Sequence, residues 1–242
     1  MRWICKIITG LFLITLSFEA GATHLIGSEM FYEDLGGGSY LVTLKVYREC
    51  GPANTQGTDF DDIIYLGIFY SSTNQLQQVE DIFLNFGTVF NVPIIMTNPC
   101  GTPPPDLCVE EATYTTTLML GSTAEGYDIA WQRCCRNPSI SNVANAGGTD
   151  NPGMTATVHI PGTDETTASN NSPEFQAFPP VALCANFEFF FDHAAIDSDG
   201  DELVYSFCAP YDGGGPDGAG GGFGSPAPNP PANPPYGSIP YS

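Results

Sequence analysis

Between residues 23 and 160, apolar side chains recur at every second position in short runs, and each run is closed by Gly, Pro, Asn or Asp. Tyr40, Val42, Leu44 and Val46 alternate with Leu41, Thr43, Lys45 and Tyr47; Met154, Ala156, Val158 and Ile160 alternate with Thr155, Thr157 and His159. A strand turns successive side chains to opposite faces, so this pattern specifies a sheet with one face in a core and the other in water. Residues 63–70 form a more continuous apolar run, and 114–120 carry a Thr-rich face. Residues 82–86, 127–133, 182–191 and 203–207 are further strand candidates, with no amphipathic helix between them. The 27 Gly and 21 Pro among 242 residues argue against a helical fold. The expectation is an all-β chain built of more than one β-sandwich module.

The first residues stand apart from that fold. Met1, Arg2 and Lys6 precede an apolar stretch over 7–18, and Ala20-Gly21-Ala22 offers a small-residue cleavage site, the pattern of a secretory signal peptide over 1–22. The stretch is shorter than the roughly 20 residues a spanning helix needs, and no later segment is long enough either. The expected location is secreted or on the outer cell surface. Residues 23–165 read as an N-terminal β-sandwich domain and 166–211 as the start of a second β module. Residues 212–242, with 9 Gly and 8 Pro, read as a linker or long loop in which no core can form. Asn170-Asn171-Ser172 matches a glycosylation sequon.

Charge narrows the partners. With 27 acidic against 6 basic residues and a formal charge of −21, the chain cannot bind nucleic acid by neutralising phosphates, and it is ill suited to an anionic membrane. Asp192, Asp197, Asp199, Asp201 and Glu202 crowd five carboxylates around Gly200, and residues 137–242 contain twelve acids and no Lys or Arg. Such crowding calls for a cation or raised pKa values, and hard oxygen ligands at alternate positions suit Ca²⁺. The spacing is not that of an EF-hand, since Gly200 is fourth from Asp197 and the twelfth position is Cys208. The alternative is a solvated acidic turn between two strands.

Loss of the signal removes Cys5 and leaves Cys50, Cys100, Cys108, Cys134, Cys135, Cys184 and Cys208, for which disulfides are the default in an oxidising compartment. Zinc is disfavoured: there is no CxxC pair, and His24, His159 and His193 are scattered. If 187–191 and 203–207 fold back about residue 196, Cys184 faces Cys208. Cys100 and Cys108 bracket a turn-rich segment and are expected to staple it. Cys134 and Cys135, on a continuing strand, would point to opposite faces, which disfavours a bond between them and leaves one to reach Cys50; a redox-active vicinal pair is the functional alternative. The odd count, with the Gly/Pro-rich ending, suggests that the polypeptide continues and carries a partner. Arg133 and Arg136 flank the pair and either hold an acidic ligand or bind structural carboxylates such as Glu110 or Glu111. Trp131, among Ile129 and Ala130, reads as core. No G-x-S-x-G, H-E-x-x-H, P-loop or Cys/His signature is present, so a non-enzymatic role is expected, although two carboxylates at glycosidase separation remain open.

Several segments together resemble a family. Residues 23–29 (THLIGSE), 42–50 (VTLKVYREC), 109–114 (VEEATY), 132–137 (QRCCRN) and 197–206 (DSDGDELVYS) are similar to the N-terminal region of large gliding-motility-associated surface proteins of the Bacteroidetes. The resemblance implies a long modular adhesin-like protein with PKD-type or other Ig-like modules and export by type IX secretion. The D-x-D-G-D-x-L-x-Y segment separately resembles cadherin-like modules, which implies Ca²⁺ at Asp197, Asp199 and Asp201. Relatives tend to carry Cys where this chain has Asp34, so a cysteine partner can be missing for that reason. Surface glycans or other extracellular proteins are the partners this implies; a secreted carbohydrate-binding or carbohydrate-cleaving protein is the alternative.

Overall fold

The computed structural model describes residues 25–51, 59–85, 87–94, 104–137, 140–144, 151–166, 168–214 and 227–239. It is all-β. Strands β1 (Leu25–Gly36), β2 (Ser39–Glu49), β5 (Val89–Asn91) and β6 (Val109–Met119) form one antiparallel sheet in the order β1-β2-β6-β5. Strands β3 (Ile63–Tyr70), β4 (Gln75–Phe83), β7 (Tyr127–Arg133) and β8 (Met154–Ile160) form a second, in the order β4-β3-β7-β8. The sheets face one another as a sandwich, with β1 against β8 and β4 against β6. A short antiparallel pair joins β9 (Glu174–Phe175) to β10 (Ala195–Ile196).

Register explains the core. Tyr32 lies opposite Val42 and Val42 opposite Thr116; Met30 lies opposite Leu44 and Leu44 opposite Tyr114. These rows direct Tyr32, Val42, Leu44, Val46, Ala112 and Tyr114 inward from the first sheet, all but excluded from water. From the second sheet, Leu66, Trp131 and Ala156 form one cross-strand row and Ile68, Ile129 and Val158 the next. Trp131 is 1% exposed and fills the centre, as its apolar neighbours imply. The core lies on one continuous cluster drawn from both sheets.

The second sheet is covered on its outer face too, so β7 is almost wholly buried instead of alternating. Described residues of the Gly/Pro-rich C-terminal stretch supply this cover: Ala232 N–H donates to Gln132 Oε1 (2.7 Å), the Thr155 hydroxyl donates to the Asp212 carbonyl (2.5 Å), and Ile239 is buried. Residues 210–212 and 237–239 bridge each other through Asp212 N–H to Gly237 O and Ile239 N–H to Pro210 O. These described parts of the stretch are tied to the first sandwich.

Two expected strands are absent. Residues 187–191 and 203–207 are irregular, and the expected turn centre at 195–196 is instead strand β10, paired with β9. Ala195 N–H also donates to the Tyr205 hydroxyl, 2.9 Å away, so this neighbourhood is held by a side chain and not by a hairpin ladder. Among the described residues no helix is long and apolar enough to cross a membrane.

Candidate functional site

The acidic loop folds around its own backbone. Asp197 Oδ1 accepts the N–H groups of Asp199 (2.9 Å), Gly200 (3.0 Å) and Asp201 (3.3 Å), an Asx turn that Gly200 closes at φ +83°. The Asp199 carboxylate accepts from Asn171 N–H (2.6 Å) and Nδ2 (2.9 Å), while Asn171 Oδ1 accepts the Asp34 N–H (2.7 Å) and ties the loop to the edge of β1. Asp192 Oδ1 caps Ala194 N–H (3.1 Å). Backbone and amide donors thus relieve the crowding that the sequence poses as a problem. Among the described residues no group of three His, Cys, Asp or Glu side chains is placed to hold a metal ion, Asp192, Asp197, Asp199, Asp201 and Glu202 included.

Cysteine pairing differs from the expectation. Cys108 bonds Cys50, not Cys100, which lies outside the described residues. The reason is register: β2 and β6 place Glu49 opposite Val109, so the next residues outward, Cys50 and Cys108, meet with Cα atoms 5.0 Å apart. Cys208 is a free, exposed thiol, so the Cys184–Cys208 bond is not formed, while Cys184 is itself disulfide-bonded. Its hairpin argument fails with the missing ladder. Cys134 and Cys135 bond each other and are buried. Strand β7 ends at Arg133, so strand alternation does not separate them, and the peptide between them is cis.

The arginines are structural. Arg133 makes a two-point contact with Asp61 (2.7 and 2.9 Å), Arg48 contacts Glu110 through Nε (2.9 Å) and Nη2 (2.7 Å), and Arg136 Nε donates to the Gly153 carbonyl (2.7 Å). Arg133 is thus held by a structural carboxylate, Asp61, while Glu110 takes Arg48. Lys45 pairs with Glu29 (3.3 Å) and Glu174 (2.9 Å). Asn170 of the sequon has its amide engaged with the Tyr32 hydroxyl (2.9 Å) and the Asn171 carbonyl (3.0 Å).

One constellation escaped the sequence reading because its members are far apart in the chain. His159 Nδ1 lies 2.8 Å from Asp128 Oδ1 and 3.3 Å from Ser71 Oγ, while Nε2 lies 2.8 Å from Glu165 Oε2. Hydrogen bonding to Asp128 and then to Glu165, opposed by burial, pushes the imidazole up to about 9. The same contact holds Asp128 below the usual carboxylate range. A catalytic Ser-His-Asp set needs the hydroxyl and the acid on opposite ring nitrogens, with a neutral ring ready to take a proton. Here serine and aspartate share Nδ1, a second carboxylate occupies Nε2, and the ring is an imidazolium at neutral pH. The cluster joins β7 and β8 to the following loop by charge.

Beside it, at the end of the sandwich where β1 turns into β2, β6 gives way to β7 and β8 ends, three loops enclose a cleft of about 430 Å³. Its walls are chiefly Gly, Ser and Thr with the rings of Tyr40 and Tyr127, and Asp34 is the one formally charged side chain among them. Nothing in the linear sequence marks it, since residues 34–40, 120–127 and 160–170 meet only after the sheets close. Comparisons of this chain with protein-family models, with curated proteins and with solved structures find no match.

Proposed function

We propose that the chain is a non-enzymatic extracellular module of a secreted or cell-surface adhesin-like protein, of the gliding-motility-associated type that its sequence motifs resemble, and that its work is display and adhesion. One observation carries the reading: the polar constellations among the described residues close on themselves. Arg48, Arg133, Lys45 and His159 are each bound to carboxylates, and His159 is not available as a base. What remains outward is a rigid sandwich with an acidic exterior, a disulfide across neighbouring strands and a polar cleft at one loop end. Disulfides are compatible with an extracellular protein. Beads coated with the protein are expected to attach to cells or polysaccharide surfaces more than beads coated with an inert protein, and equal attachment would refute the reading.

Calcium belongs to the same proposal in a restricted form. Asp197, Asp199 and Asp201, with Asp192 and Glu202, are the residues that would hold Ca²⁺, using carboxylate lone pairs beyond those that Asp192, Asp197 and Asp199 give to backbone N–H groups and to Asn171. Melting curves in excess Ca²⁺ and in excess chelator test this: a lower melting temperature with chelator supports it, and superimposable curves remove calcium from the reading.

The second reading is a secreted carbohydrate-binding or carbohydrate-cleaving protein, and its cleaving form rests on the abundance of carboxylates. A hydrolysis screen on polysaccharides separates the two, since turnover abolished by replacing one carboxylate would overturn the adhesive reading.

A further inference from the structure

We propose that the loop-end cleft is a binding site for a neutral sugar, a mono- or disaccharide unit of a larger glycan; this rests on the adhesive reading and names where and what the module grips. The cleft is prebuilt. Main-chain bonds knit its loops together: Leu120 N–H to Gly38 O (2.8 Å), Thr163 N–H to Thr123 O (2.9 Å) and Asp164 N–H to Ala124 O (2.9 Å). The fit is so close that a Cβ at Gly38 would strike the Leu120 carbonyl and one at Gly126 the Ile160 carbonyl, and both glycines have positive φ, +80° and +74°. Walls fixed in this way lose little freedom when a ligand enters. The volume falls within the roughly 300–1,000 Å³ of small-ligand pockets.

Its chemistry selects against ions. Among the described residues no Lys, Arg or His lines it, so an anion finds no counter-charge there. The one carboxylate, Asp34, already accepts Gly36 N–H (2.8 Å) and the Ser169 hydroxyl (2.9 Å), leaving a cation little to bind. Uncharged groups are free instead. Among the described residues the Tyr40 phenol has no hydrogen-bond partner, and the exposed Ser122 lines the same cleft. Asn170 spends its amide hydrogens on Tyr32 and Asn171 and keeps Oδ1 as an open acceptor. The Tyr40 ring is half-buried and set edge-on against Tyr32, at 5.9 Å between centroids, so it offers a braced aromatic surface. Neutral donors and acceptors around an aromatic ring match a sugar, whose hydroxyls need directional partners and whose C–H face needs an apolar one.

Titration calorimetry of the intact protein against glucose, galactose, mannose, N-acetylglucosamine, cellobiose, maltose and lactose, with glucuronic acid as the charged counterpart, tests this. At least one neutral sugar should bind, more tightly than glucuronic acid. Tyr40→Phe keeps the ring and removes the hydroxyl, and should weaken that sugar about fivefold, the effect of one neutral hydrogen bond. Ser122→Trp, at an exposed position on the cleft wall, should abolish binding with the fold retained by circular dichroism, and Asp81→Asn, on the exposed face of β4, should leave binding unchanged. Absence of binding by every sugar, binding that survives both cleft variants, or preference for glucuronic acid would overturn the site. Coated beads separate this from the adhesive reading: attachment undiminished by Ser122→Trp refutes the cleft alone, whereas attachment no better than that of an inert protein refutes adhesion and leaves the calorimetry to judge the cleft.

Discussion

The sandwich and the segment after it have the same kind of sequence and opposite fates. Val42, Leu44 and Val46 alternate with less apolar residues and are at most 2% exposed; Leu203, Tyr205 and Phe207 also stand at every second position, with Val204 and Ser206 between them, yet Phe207 is fully exposed and Tyr205 more than half. The difference lies in the backbone. Strand β2 has a ladder on each side, to β1 and to β6, that satisfies its N–H and C=O groups and fixes which face is inward. Residues 187–191 and 203–207 have no such ladder among the described residues, and the carboxylates of Asp192 and Asp197 bind N–H groups of the loop between them. Period-two alternation thus selects a face, and only a neighbour with matching register turns it into a strand.

Substitutions sharpen the contrast. Trp131→Ala should cost about 3–5 kcal/mol in denaturant unfolding, because it empties the centre of the core, whereas Phe207→Ala should fall within about 0.5 kcal/mol of the unaltered protein. A large loss from Phe207→Ala would show that the second region is packed after all. The cysteines give the next largest effect. Opening the Cys50–Cys108 bond, which links positions 58 apart, by Cys50→Ser with Cys108→Ser should cost about 2–4 kcal/mol, whereas Cys208→Ser should be neutral. Non-reducing peptide mapping should recover Cys50 linked to Cys108, with Cys208 as the reactive thiol.

The His159 cluster predicts a smaller, pH-dependent term. The folded state raises the imidazole to about 9, so its stabilisation is complete below the ordinary histidine value and fades as pH rises through about 9. Asp128 is shifted down, so its share is present above the ordinary aspartate value and lost as pH falls through the lowered one. With the histidine side chain 40% exposed, solvent screening reduces the whole to about 1 kcal/mol. His159→Gln should therefore destabilise the protein at pH 6 and much less at pH 10; equal losses at both would show that the ring acts by packing alone.

How much was legible follows the same division. Strands β3, β7 and β8 have the limits that composition and alternation set, 63–70, 127–133 and 154–160: each opens after Asp or Gly, and β3 and β8 close at Ser71 and Pro161. Strand β1 was not foreseen: its inward positions Ser28, Met30 and Tyr32 are interleaved with Gly27 and Glu29, so only its pairing with β2 defines it. The Cys50–Cys108 bond follows from the β2–β6 register and was invisible before strand order was known. The acidic loop was legible as a turn around Gly200, but not its attachment to Asn171, nor the burial of the outer face of β7 by a stretch that composition marks only as linker-like. The cleft and the His159 cluster are products of loop assembly, to which alternation is blind.

Amide hydrogen exchange, followed by mass spectrometry on the intact protein at pH 7, tests the account most directly. Peptides covering β2, β6, β3 and β7 should stay protected for hours, while those covering 187–191 and 203–207 exchange within seconds to minutes, because the first group lies in ladders and the second does not. Protection over 187–191 and 203–207 equal to that of β2 and β6 would mean that the second region is a paired sheet in solution, and would contradict the account.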